Sequence, residues 1–417
     1  MTRGLGKDDL RAAILAQTRA CCALRAFVQT AILAPANVQG AAGLVLTGGG
    51  ARGAYQAGAL FALAEIRRAG RLPFSVLAGS SAGSINAAFL AARADDFSQA
   101  TRDLADLWTT LEPQRVFRTD LPALAKTAGD WLIDLGLGGF IGTGRGKSLL
   151  DTSPLRELIA SRLDPSAIGR NVARGLIRGL GVSATSYETG CVVTFFEGAD
   201  DIAPWTRISR AAIRSKLQAP HILASSAIPF FFPAVEIDGA WYGDGSVRLG
   251  TPLSPAIRMG ATRIVAIGVR PLSPPTADKA LKRQGHYPTA AEAAGVLLNA
   301  IFVDSLEADV ERADRINQTV ALIPEALRAR HATPLRSISL LVLRPSIDPQ
   351  SLVLRTLDRF PAALKHLFRG LGSSEDSGWE LLSYLGFDGV YTTRLFELGY
   401  EDTLARSDEV AAFLDAN

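Results

Sequence analysis

The chain has 417 residues, of which 48% are hydrophobic and 20% charged, the balance of a globular protein with a sizeable core rather than a disordered or fibrous one. Its 44 basic and 41 acidic side chains leave a net charge of +3, too little to argue for a nucleic-acid partner. Three cysteines, two of them adjacent at Cys21 and Cys22, make neither a disulfide framework nor a metal-ligand spacing.

No uncharged apolar run reaches the roughly 18 residues of a transmembrane helix. Ala26–Ala36 has some signal-peptide character, but Gln29 and Thr30 interrupt it and Asp8 and Asp9 stand where a basic lead belongs. An amphipathic leader helix over Asp9–Leu33, within an N-terminal unit 1–41, is the preferred reading, with a cytoplasmic location preferred to secretion. Gly43–Thr47 then predicts a short buried strand, Ala54–Arg68 a helix, Phe74–Ala78 a second strand and Ser84–Ala94 a second helix. Strand, glycine turn and helix, twice within about fifty residues, point to βαβ units and a mostly parallel sheet. Residues 100–180 read mainly helical, with a glycine-rich interruption at Gly136–Gly146. Strands follow at Gly181–Ser186, Cys191–Phe196, Val235–Ile237 and Thr262–Val269, with Cys191 expected as a small core residue. A polar loop over Pro271–Pro288, a helix over Thr289–Ile316 and a last strand at Ile338–Leu343 complete a catalytic unit of 42–345. The remainder, 346–417, reads as a helical extension. The clusters Arg67, Arg68, Arg71 and Arg170, Arg174, Arg178 are expected as solvated faces, with contact to anionic lipid headgroups the lesser reading.

The sharpest chemical signal is Gly79-Ser80-Ser81-Ala82-Gly83. A nucleophilic serine must project from a strained turn between strand and helix; glycines two before and two after relieve the crowding, and the helix aims its N-terminal dipole at the site. A second signal is Gly48-Gly49-Gly50-Ala51-Arg52-Gly53, opening the first helix. As a dinucleotide fingerprint it wants an acidic residue about 20 positions on, at the end of the next strand, and that strand instead runs into Gly79. As an oxyanion loop, with backbone N–H groups of Gly49 and Gly50 as donors, it fits. Arg52 either adds positive potential there or sits on the helix surface. Gly142–Ser148 is no nucleotide triphosphate loop, because Ile141 stands where its first glycine belongs.

A base for Ser81 is harder to read. His286, His331 and His366 lie on loop or charged helical stretches, and His221 reads as a helix-start residue beside Pro220. The acid that stands out is Asp244, in Trp241-Tyr-Gly-Asp-Gly-Ser246, held between glycines; Asp238-Gly239 resembles it but falls at a hairpin turn.

Four blocks in order, Gly48–Gly53, Gly79–Gly83, Ala224–Pro233 and Asp244-Gly245, resemble the patatin-like phospholipase family over roughly residues 42–270. The resemblance implies a three-layer α/β/α sandwich with a central, mostly parallel sheet. It also implies a Ser81–Asp244 dyad without a catalytic histidine, an oxyanion loop of Gly48, Gly49, Gly50, Arg52 and Gly53, and an acyl-enzyme released by water. Gly79 and Gly83 then frame the elbow, and Gly245 the turn carrying the base. An ordinary carboxylate is a poor base, so Asp244 is expected to be desolvated with its pKa raised. Ser246, where many members have glycine, is a departure bearing on turn geometry. No cofactor or metal is implied. The partner implied is a lipid or acyl ester met at most by peripheral membrane contact, with the acyl donor and oligomeric state left open. Trp131–Ile141, in a stretch 130–146, reads equally as a lid and as a buried helix and loop. The rivals are a catalytically silent binder of lipids or partners on the same fold and, more remotely, an NAD-linked oxidoreductase.

Overall fold

The computed structural model describes residues 41–68, 70–120, 148–271, 287–302, 304–328, 336–353 and 379–415, with isolated positions between 122 and 134 and between 360 and 372. The leader helix, Cys21 and Cys22, the 136–146 stretch and His286, His331 and His366 lie outside the described residues.

Among the described residues ten strands form one sheet: β1 Ala42–Leu46, β2 Val76–Ser80, β3 Gly179–Ser186, β4 Val192–Gly198, β5 Trp205–Arg207, β6 Arg210–Arg214, β7 Val235–Ile237, β8 Ala240–Asp244, β9 Arg263–Ile267 and β10 Ser339–Leu343. The main order is β10-β9-β1-β2-β3-β4-β6-β5, with the β7–β8 hairpin joined through β8 to β3. From β10 to β3 every neighbouring pair is parallel, in a register that sets Leu44 beside both Leu77 and Val265. These parallel strands read as continuous apolar runs because both their faces are covered. Alternation assigns the faces. Leu44, Leu46, Leu77, Val265 and Ile267 enter one buried cluster, while Val45, Val76, Ala78, Ile264 and Ala266 enter a second on the opposite side. The first cluster lies under the helices Gly53–Arg67, Ala82–Ala92 and Phe97–Thr109, and the second under Ser254–Arg258 and Asp304–Ala321. The architecture is a three-layer α/β/α sandwich.

Three departures from expectation have physical reasons. The edge hairpin β5–β6 was not legible, because its exposed face is rich in arginine and only Trp205, stacked on Phe196 at 5.5 Å, and Ala212 face inward. The helical stretch expected to end at 316 ends at Ala321, its described parts being Ala290–Phe302 and Asp304–Ala321, because the buried Val320 extends its apolar face. Ala291 and Leu298 enter one cluster and Leu306 the other. Cys191 precedes β4 and is only half-buried, its thiol 3.6 Å from the Thr189 carbonyl, so it is a turn residue and not a core one. Arg170, Arg174 and Arg178 are paired with Asp164, Asp95 and Asp201.

Within 346–417, the helices Trp379–Leu385 and Gly389–Leu404 share the first cluster with the catalytic unit through Leu381, Tyr384, Tyr391 and Leu395. Gly389–Leu404 crosses Gly53–Arg67 at near-backbone contact. A Cβ on Gly58 would lie 1.9 Å from the Phe396 carbonyl oxygen, and one on Gly399 would lie 2.0 Å from that of Tyr55.

Candidate active site

β2 ends at Ser80 and the elbow helix Ala82–Ala92 begins at once, so Ser81 must turn the chain alone. It does so at φ 51 and ψ −132, a strained conformation that costs a non-glycine residue about 1–3 kcal/mol. The flanking glycines are steric necessities: a Cβ on Gly79 would sit 2.5 Å from the Gly83 carbonyl oxygen, and one on Gly83 would sit 2.3 Å from that of Leu46. What holds the strain is a brace of hydroxyls. The Ser81 N–H donates to Ser225 Oγ at 3.0 Å, and that hydroxyl donates on to the Ser183 carbonyl of β3 at 2.6 Å. The Ser81 carbonyl accepts from Ser84 Oγ at 2.7 Å and Ser226 Oγ at 3.2 Å. Ser225 and Ser226 come from the Ala224–Pro233 block, whose composition marked it without showing that its two serines fix the elbow.

Asp244 closes β8 opposite Ala184 of β3. Its N–H donates to the Ala227 carbonyl at 2.8 Å and its carbonyl accepts from Thr185 Oγ1 at 2.8 Å. Gly245 presses so tightly on β3 that a Cβ would lie 1.9 Å from the Ser183 carbonyl oxygen. The side chain is completely buried. Oδ1 accepts the Ser246 N–H at 2.8 Å, whereas Oδ2 has no hydrogen-bond partner among the described residues. Burial pushes the Asp244 carboxyl up to about 7, with the Ser81 hydroxyl and then the Ser246 N–H drawing it back. The Ser81 hydroxyl is thus near enough to lower the carboxyl's pKa without making a well-formed hydrogen bond to it. Ser246 has a partner of its own: its hydroxyl meets Ser80 Oγ at 3.1 Å, tying the turn that carries the acid to the strand that carries the serine.

The glycine loop approaches the elbow from β1. Gly50 adopts φ +55, and the N–H groups of Gly49 and Gly50 have no acceptor among the described residues. A buried polar chain supports the loop from behind. Trp108 Nε1 donates to Asn86 Oδ1 at 2.8 Å, Asn86 Nδ2 to Gln56 Oε1 and to the Gly53 carbonyl at 3.0 Å each, and Gln56 Nε2 to the Thr47 carbonyl at 2.8 Å. Arg52 is not a surface residue. It is fully buried, its guanidinium 4.0 Å from the centre of the Tyr384 ring, and it donates to Ser383 Oγ at 3.0 Å, Tyr384 Oη at 3.1 Å and Glu380 Oε1 at 3.1 Å. Its donors are engaged by the helix Trp379–Leu385, leaving it to anchor the loop and contribute charge from behind it. None of these C-terminal partners was visible in the sequence, since no motif surrounds them.

His221 is the third residue of the helix Ala219–Ser225, and its Nδ1 accepts the Gln218 N–H at 3.1 Å in a reciprocal cap. Its ring packs edge-on to Phe195 at 4.8 Å, and burial lowers its pKa. Asp238 and Gly239 carry positive φ at the β7–β8 turn, as a two-residue hairpin demands. Among the described residues no cluster of histidine, cysteine, aspartate and glutamate has the make-up of a metal site, and no helix is long and apolar enough to cross a membrane. An apolar cavity opens at Ser81, lined also by Gly50, Ile85, Phe89, Ile159 and Phe232.

Fold and geometry together define a three-layer α/β protein that presents a serine on a strained strand–helix elbow beside a buried carboxylate. The chain belongs to the patatin-like phospholipase family, whose model matches residues 44–257. Among solved structures, VipD from Legionella pneumophila is similar at 15% identity and a TM-score of 0.31, over 86% of this chain and 67% of VipD. The type III effector protein ExoU is similar at 16% identity and a TM-score of 0.24, over 85% of this chain and 76% of ExoU. No curated protein sequence matches the chain. Membership of the family supports lipid hydrolysis as the general activity.

Proposed function

We propose that the chain hydrolyses acyl esters of lipids through a Ser81–Asp244 dyad and an acyl-enzyme intermediate. The observation that carries this reading is the buried Asp244 carboxyl, whose Oδ2 has no partner among the described residues and whose pKa, near neutrality, is drawn down by the Ser81 hydroxyl. A buried polar atom without a partner is costly and calls for a use. In the first half-reaction Oδ2 takes the Ser81 Oγ proton as Oγ bonds to the ester carbonyl carbon. The N–H groups of Gly49 and Gly50 receive the oxyanion, each such donor being worth about 2.7–4 kcal/mol of barrier. Collapse breaks the ester C–O bond, and the departing alcohol takes the proton from Asp244. In the second half, water attacks the acyl carbon and gives its proton to Asp244, which returns it to Ser81 Oγ as the free acid leaves. The apolar cavity at Ser81 suits a hydrocarbon chain, and a lipid substrate brings peripheral contact with lipid surfaces.

The test is p-nitrophenyl ester hydrolysis with labelling by a fluorophosphonate. The wild type is expected to turn over and to take one label at Ser81; Ser81→Ala is expected to do neither while unfolding like the wild type. Turnover retained by Ser81→Ala would sink the dyad. A folded wild type that neither turns over nor labels would favour the silent binder.

A further inference from the structure

The apolar cavity at Ser81 is lined from several elements, Leu107, Trp108, Val116 and Phe387 among them, and two of its walls face each other as helical stripes. One wall is the stripe Ala82, Ile85 and Phe89 of the elbow helix, and the facing wall is Leu155, Ile159 and Arg162 of the helix Ser153–Arg162. Spacings of three and four keep each stripe on one helix face, and each advances seven residues, about 10 Å. The elbow helix starts at Ser81, and the segment leading into its neighbour is tied to the Ile228–Phe232 wall by the Leu150 N–H on the Phe231 carbonyl at 2.9 Å. At the other end Arg93, just past the elbow helix, donates to the Arg162 carbonyl at 2.8 Å. There the chemistry changes. The Arg93 guanidinium lies 3.8 Å from the centre of the Phe89 ring and pairs with Asp103 at 3.3 Å, and Arg162 pairs with Asp106 at 3.5 Å. The two stripes thus lead from the serine to an aromatic ring and two partly exposed ion pairs.

We propose that the slot between these stripes measures the acyl chain, taking a single medium-length group with Phe89 and Arg162 as its specificity-determining stop. The proposal rests on Ser81 being the acylated nucleophile. An extended chain bonded to Ser81 advances roughly 1.3 Å per C–C bond, so a stripe of about 10 Å holds about eight carbons. A longer chain must displace the Phe89 ring or push methylenes among four charged groups, whose desolvation opposes it. A shorter chain leaves apolar wall uncovered and forgoes about 0.8 kcal/mol per missing methylene, roughly fourfold in kcat/KM.

The full-length protein and a series of p-nitrophenyl esters from acetyl to palmitoyl test this. The expected kcat/KM peaks near octanoyl and falls at least about tenfold by palmitoyl. Phe89→Ala and Arg162→Ala are each expected to raise the lauroyl-to-octanoyl ratio several-fold. Ile85→Phe, which fills the slot about 4.5 Å from its head, is expected to move the optimum to butyryl or shorter, and it keeps the test alive should a truncated variant fail to fold. A wild-type optimum at palmitoyl, or a length profile that ignores both the lengthening and the blocking substitutions, would overturn the ruler and leave the dyad standing. Silence toward every ester would overturn the dyad and the ruler together.

Discussion

Asp244→Asn separates the electrostatic cost of the site from its use. The carboxyl is fully buried and its pKa is raised from 3.8 to about 7 by desolvation. A raised folded-state pKa means the native protein holds the proton more tightly than the unfolded chain, so the native state is penalised as pH rises above the unfolded value. The penalty begins near pH 4, grows to about pH 7, and is then complete at about 4 kcal/mol. Asparagine keeps an oxygen for the Ser246 N–H and carries no charge. The variant is therefore expected to be more stable than the wild type at pH 8, by as much as about 4 kcal/mol, with the difference vanishing toward pH 4. Activity moves the other way. In the proposed dyad Asp244 must be ionised to act as base, so wild-type kcat/KM is expected to climb with pH to a plateau above about 7, standing about 100-fold lower at pH 5. Asp244→Asn should lose about 10²–10⁴-fold at the plateau. Urea unfolding at several pH values, paired with a pH–rate profile, reads both quantities. A flat profile between pH 5 and 9, or a variant less stable than the wild type at pH 8, would refute the assignment of a strained, functional carboxylate.

The supports of the site make further outcomes testable. Ser225→Ala strips the Ser81 N–H of its acceptor and the Ser183 carbonyl of its donor, and should cost about 1–3 kcal/mol in chemical denaturation together with a fall in kcat. Gly50→Ala puts a Cβ 2.2 Å from the Tyr384 carbonyl oxygen at a φ of +55, so the loop must move; a drop of about 10²-fold in kcat on a chain that still labels at Ser81 would mark lost oxyanion donors. Glu380→Gln leaves the buried Arg52 without its carboxylate, and thermal unfolding should register a loss of about 3 kcal/mol. Arg52→Lys should behave similarly, since one ammonium cannot span Glu380, Ser383 and Tyr384 at once.

What the sequence disclosed follows the range of the interactions involved. β1, β2, β9 and β10 were legible because burial on both faces writes a continuous apolar run. The elbow was legible because steric crowding at Ser81 demands glycine at two fixed offsets. Asp244 was marked by its glycine frame and by the failure of four histidines to present themselves, and chiefly by the family resemblance. Its burial and its neighbour Ser246 are products of β3 and β8 coming together across nearly sixty residues. Ser225 could be read as part of a block and not as a brace, because its two partners, Ser81 at the elbow and Ser183 on β3, are distant in sequence. The Trp108–Asn86–Gln56 chain left no signal at all, each member looking like an ordinary helix residue.

Arg52 shows how far the glycine loop depends on distant sequence. A guanidinium with 0% exposure needs partners, and those it has are more than 300 positions away. The same helix supplies the Tyr384 carbonyl that leaves no room for a side chain on Gly50, and the Tyr384 hydroxyl donates to Asn299 Oδ1 at 2.7 Å, drawing the helix Ala290–Phe302 into the contact. On the proposed reading of Gly49 and Gly50 as oxyanion donors, the loop gains from being clamped, because preorganised donors need no rearrangement during the reaction. The family match ends at residue 257, yet the clamp lies at 380–384. The geometry of the loop within the matched region is therefore set in part by sequence beyond it, and a chain cut after the matched region would keep Ser81 and Asp244 while losing what holds Gly49 and Gly50 in place.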